Sequence, residues 1–103
     1  MNNKIWVIED DDALRTLLTF LLESEGYDVT PFSDGSSAIR EVQDAFPDLA
    51  LLDIGLPGES GESVCRLLCG DGDRNPIPVI VLTGRNEPAD RYRMFAAGAD
   101  DYL

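Results

Sequence analysis

Short runs of consecutive apolar residues alternate along this chain with segments whose apolar residues recur every three or four positions. That alternation limits the fold more than any other feature. Residues Lys4–Ile8 are almost wholly apolar, and polarity then switches at Glu9-Asp10-Asp11-Asp12. A continuous apolar run of this length reads as a strand buried on both faces. Leu14, Leu17, Leu18, Leu21 and Leu22 follow the spacing of an amphipathic helix. Asp11 or Asp12 is its expected N-cap, and Gly26 its expected stop. A weaker strand is predicted over 27–32. Ala38, Ile39, Val42 and Phe46 predict a second helix that ends before Pro47. Leu49–Leu52 is a third strand ending at Asp53, and the Gly- and Pro-rich stretch 55–61 is a loop. Val64, Leu67 and Leu68 mark a third helix, and 70–76 a polar connection. A fourth strand over 78–82 ends at Thr83-Gly84. Pro88 suits the first turn of a fourth helix carrying Met94, Phe95 and Ala97, and 101–103 begins a fifth strand. Strands and helices in strict alternation imply right-handed crossovers and a parallel sheet covered on both faces. The expectation is one doubly wound α/β domain over residues 1–103.

Composition removes several function classes. Eight Lys and Arg stand against twenty Asp and Glu, a net charge of -12. Phosphates want a basic face, so no direct nucleic-acid or anionic-membrane binding is expected. Divalent cations and basic partner surfaces suit such a chain better. The absence of His excludes Ser-His-Asp and Cys-His catalysis and every His-dependent zinc site. No apolar run approaches the 18 residues of a membrane span, and the start of the chain lacks a secretory apolar region. Cys65 and Cys69 sit four apart in a helical segment, where a disulfide would be strained. They read as two small apolar residues in a reducing cytoplasm.

Ligands of open parallel sheets bind at the carboxyl ends of the strands. Strand one ends in Glu9 and Asp10, strand three in Asp53 and strand four in Thr83. If those strands are neighbours, three carboxylates and a hydroxyl share one cleft. Two carboxylates ~4 Å apart repel by about 4 kcal/mol at an effective dielectric of 20. Such a cluster must hold a proton or bind a cation. An open, all-oxygen donor set suits Mg²⁺. Taken singly, the acidic run is most simply helix capping, Asp53 a turn former and Thr83 a loop hydroxyl. Their arrival at one sheet edge is what points to a site.

Competing motifs fail on definite grounds. A P-loop needs Gly-Lys-Ser/Thr, and the single lysine is Lys4. Four successive acids after strand one would repel a flavin or dinucleotide phosphate, and no Gly-x-Gly-x-x-Gly follows that strand. A haloacid-dehalogenase phosphatase wants a second Asp two residues past its nucleophile, where Gly55 stands.

Ile-Glu-Asp-Asp (8–11), Leu-Leu-Asp-Ile-Gly-Leu-Pro-Gly (51–58), Val-Leu-Thr-Gly (81–84) and Ala-Gly-Ala-Asp-Asp-Tyr-Leu (97–103) together resemble the receiver domain of bacterial two-component response regulators. The last stretch is most similar to the subclass with a winged-helix DNA-binding output domain. The resemblance implies a flavodoxin-like fold with strand order 2-1-3-4-5. It implies Asp53 as phosphoacceptor, and Mg²⁺ held by Glu9, Asp10, Asp53 and the main-chain carbonyl of Gly55. Thr83 would be the switch hydroxyl, Tyr102 the switch aromatic, and Pro57 would shape the loop after the acceptor. The implied partner is a histidine kinase or phosphotransfer protein. Arg91, Arg93, Asp100 and Asp101 would line a surface that pairs two receivers into a homodimer. Alternatives of other classes are a receiver-like interaction domain that is not phosphorylated, and a small Mg²⁺-dependent phosphohydrolase.

The family pattern also places a lysine two residues beyond position 103, and a further helix after it. A helix burying about five apolar side chains contributes ~8–15 kcal/mol gross. That rivals the whole net stability of a domain, ~5–15 kcal/mol. A receiver stopping at Leu103, without the end of strand five and the last helix, is thus expected to be C-terminally truncated. It should expose an apolar sheet face and recruit a second copy, or something else, to cover it.

Overall fold

The computed structural model describes residues 3–42, 44–53, 61–68, 77–82 and 101–102, with the backbone alone for Glu62, Asp101 and Tyr102. Their elements run β1 (Lys4–Ile8), α1 (Asp12–Ser24), β2 (Asp28–Phe32), α2 (Gly35–Glu41), β3 (Leu49–Leu52), α3 (Gly61–Leu68), β4 (Val79–Val81) and β5 (Asp101–Tyr102). All four strand pairings are parallel, in one sheet of order β2-β1-β3-β4-β5. The doubly wound expectation and its strand order hold. The predicted fourth helix and the loops over 55–60 and 70–76 lie outside the described residues.

Local chemistry sets the element ends. Asp11 caps α1 by accepting from the Leu14 N–H at 3.1 Å, which settles the choice between Asp11 and Asp12. Gly26 follows α1 at φ 94°. Its N–H reaches the Glu23 carbonyl and that of Tyr27 the Leu22 carbonyl, a paired closure that needs the left-handed residue. Asp34 caps α2 through the Ser37 N–H at 2.7 Å. That helix is shorter than its periodicity predicts. The Asp44 and Ala45 amides both turn back to the Glu41 carbonyl, which closes a turn, and Phe46 is left exposed outside the helix.

Pleat alternation divides the sheet into two unequal faces. Trp6, Ile8, Ala50, Leu52, Val79 and Val81 point to one side and are buried against Ala38 of α2, its C-cap Val42, and Val64, Cys65 and Leu68 of α3. Trp6 meets Phe32 edge to face, with ring centroids 4.8 Å apart. On the other side Ile5 and Val7 are buried, and α1 packs over β1 and β2. Their neighbours Leu49, Leu51 and Ile80 are only half-buried. The leucine pattern of α1 is likewise divided, two half-buried and three exposed. Leu18 and Leu22 are half-buried, whereas Leu17 is 52% and Leu21 50% exposed. No helix among the described residues is long and apolar enough to cross a membrane.

Candidate cation site at the carboxyl edge of the sheet

The sheet register carries the site. Ile8 lies opposite Leu52, so the next residues along, Glu9 and Asp53, leave the sheet side by side. The Asp53 N–H donates to the Ile8 carbonyl at 2.9 Å, and the Glu9 N–H to the Phe32 carbonyl at 3.0 Å. On the far side, the Leu82 N–H donates to the Leu52 carbonyl at 2.7 Å, which brings the end of β4 against the same edge. A one-residue slip would turn Glu9 and Asp53 toward opposite faces.

Glu9, Asp10 and Asp53 each present a carboxylate oxygen, and the three oxygens lie within 4.8 Å of one another. Glu9 is 6% exposed, the one buried charged residue among those described. Asp53 is half-buried and Asp10 exposed, so the cluster is open to solvent on one side. Burial pushes the Glu9 carboxyl up to about 7. An N–H from Asp11 opposes that rise, while the charges of Asp53 and Asp10 and a hydrogen bond to Asp53 add to it. Without a cation and below about pH 7, a proton held on Glu9 therefore relieves the repulsion within the cluster.

The donor set fits a hard divalent cation. Three carboxylate oxygens within 4.8 Å of one another, open to water on one side, are the donors such an ion takes while keeping several waters. The three carboxylates are those the sequence singled out. Gly55, Pro57, Thr83, Arg91, Arg93, Asp100 and Cys69 lie outside the described residues. Asp101 and Tyr102 are placed as strand β5, beside Ile80 and Val81. One residue was missed by sequence reasoning. Arg15 donates from Nη1 to the Glu9 carbonyl at 2.9 Å and pairs through Nη2 with Asp12. A lone basic residue in the first turn after four acids was the only available signal.

The chain is similar to known proteins over nearly its whole length. The response regulator receiver domain profile matches residues 5–103. The phosphate regulon transcriptional regulatory protein PhoB of Rhizobium meliloti is 44% identical over 100 residues, covering 97% of this chain and 44% of the relative. This chain thus spans less than half the length of that protein. A response regulator from Burkholderia pseudomallei, solved with a phosphorylated aspartic acid, a calcium ion and citrate, superposes with a TM-score of 0.88 at 28% identity. It covers 99% of this chain and 59% of that one. The Mn²⁺-bound response regulator Rcp1 superposes at 0.89 with 26% identity, covering 98% and 79%.

Proposed function

Since the chain belongs to the response regulator receiver domain family, we propose that it is a signalling phosphoacceptor whose Asp53 takes a phosphoryl group from a phosphohistidine on a kinase or phosphotransfer protein. The observation that carries this is the meeting of the Asp53 carboxylate with those of Glu9 and Asp10 at a solvent-open sheet edge.

Asp53 supplies the nucleophile. One carboxylate oxygen attacks phosphorus in line, a P–O bond forms, and the P–N bond to the donor imidazole breaks. The imidazole leaves with the electron pair, and Asp53 becomes an aspartyl phosphate. Glu9 and Asp10 would hold Mg²⁺ together with Asp53, and by the family resemblance with the Gly55 carbonyl. When bound there, Mg²⁺ supplies charge neutralisation on the acceptor and phosphoryl oxygens. The half-burial of Asp53 leaves room for approach of the donor. By the family resemblance Thr83 would then be the switch hydroxyl and Tyr102 the switch aromatic. Arg91, Arg93, Asp100 and Asp101 would in that reading pair two receivers, and the switch would control an output. The chain is a switch rather than a turnover enzyme, and catalyses at most its own phosphorylation and dephosphorylation.

Incubation with labelled acetyl phosphate and Mg²⁺ tests the reading. One label per chain is expected, lost in Asp53→Asn. Mg²⁺ binding without any label would instead indicate a binding-only domain. Many turnovers on phosphate esters would indicate a phosphohydrolase.

A further inference from the structure

We propose that Arg15 is a positioning residue for the cation site, locking the peptide between Glu9 and Asp10 so that both carboxylates face Asp53. The inference rests on the reading of Glu9, Asp10 and Asp53 as a divalent cation site. The Glu9 carbonyl lies just past the end of β1, and it accepts from Arg15 Nη1 at 2.9 Å. That oxygen belongs to the peptide joining Glu9 to Asp10. A peptide unit is planar, so holding its oxygen fixes the direction in which the chain enters Asp10. Glu9 is pinned at two other points, its N–H to the Phe32 carbonyl and its carboxylate by the Asp11 N–H. Arg15 completes the set from the first turn of α1. The guanidinium is itself steadied by Asp12, and the Arg15 side chain is 20% exposed against 88% for Asp12. Its forked geometry lets one side chain serve a carbonyl and a carboxylate together, which an ammonium does less well.

Two other roles for Arg15 make different predictions. As a surface ion pair with Asp12 it would add little stability and leave the cation site untouched. As a bare positive charge it would repel a divalent cation, and its removal would tighten binding. Positioning predicts the opposite sign, and predicts it even when the charge is kept.

The test uses the full 103-residue chain, with Arg15→Lys, Arg15→Met, Asp53→Asn and Val42→Ala, the last placed in the core on the opposite sheet face. Mg²⁺ affinity is measured by titration calorimetry in 0.15 M and 0.5 M salt, and amide exchange is followed without metal. Removing the partners that orient metal ligands commonly costs about 10–100-fold in affinity; because Arg15 holds main chain rather than a carboxylate, Arg15→Lys should weaken Mg²⁺ binding about five- to tenfold. The Asp10 and Asp11 amides should exchange faster in that variant, while those within β1 and β3 keep their protection. Val42→Ala should lower stability but change neither readout. Arg15→Lys binding Mg²⁺ as tightly as wild type, or Arg15→Met binding it more tightly at both salt concentrations, would overturn the proposal alone. If the wild type shows no saturable Mg²⁺ binding, or Asp53→Asn binds equally well, the cation site itself is wrong and the proposal falls with it. Should Arg15→Met fail to fold, Arg15→Lys decides by both measurements.

Discussion

Glu9 is where the competing demands on this protein meet. Burial serves the fold, ionisation serves the cation, and the two pull its carboxyl in opposite directions. In the folded chain the group titrates at about 7, against 4.5 in the open chain. Between those values the folded state binds more protons than the unfolded one, so stability falls as pH rises through the window. Glu9's favourable contribution is complete below pH 4.5 and gone above about 7. In chelator, urea unfolding should therefore show stability declining from pH 5 to 8, and Glu9→Gln should flatten that slope. At pH 8 the substitution should stabilise the metal-free chain by about 1–3 kcal/mol, a figure kept low because solvent reaches one side of the cluster. The same proton competes with Mg²⁺. Affinity should tighten up to about tenfold per pH unit between 5 and 7 and level off above. Calorimetry in buffers of different ionisation enthalpy should find about one proton released per Mg²⁺ at pH 6 and almost none at pH 8.

The elements differ in how openly the chain announces them. β1 and β3 were legible residue for residue, because strands in the middle of a sheet with helices on both sides are nearly all apolar and end where polarity returns. The carboxylates were legible for the same reason, since Glu9 and Asp53 each stand one step past such an end. The end of α2 was not. Phe46 keeps helical spacing from Val42, yet the Glu41 carbonyl draws back the amides of both Asp44 and Ala45, a local closure that apolar periodicity does not encode. Arg15 was hidden because its target is a main-chain oxygen, and backbone carbonyls have no letter in a sequence. Asp11, by contrast, was narrowed to one of two residues by its position alone. It joins the cation loop to α1, since its carboxylate caps the Leu14 N–H and its own N–H holds Glu9. Asp11→Ala should lower stability by about 1 kcal/mol in urea unfolding, while Asp11→Asn should stay within a few tenths.

At the scale of the whole molecule, two sheet faces of one sequence are finished to different degrees. The face under α2 and α3 is closed, with Leu52, Val79 and Val81 fully buried. The face under α1 leaves Leu51 and Ile80 half-buried and the outer leucines of α1 exposed. Covering four or five such side chains returns about 4–6 kcal/mol gross, which the lost rigid-body freedom of two copies largely offsets, so pairing through this face is weak. A net charge of -12 per copy opposes any encounter between two copies. The balance makes salt the informative variable. Salt screens the repulsion between copies and leaves apolar contact intact. If the α1 face is what pairs, sedimentation equilibrium should show association strengthening between 0.05 and 0.5 M NaCl, and Leu17→Glu with Leu21→Glu should hold the chain monomeric at both. If instead copies pair through ionic contacts of the surface proposed for Arg91, Arg93, Asp100 and Asp101, the same salt series should weaken association and the leucine substitutions should leave it unchanged.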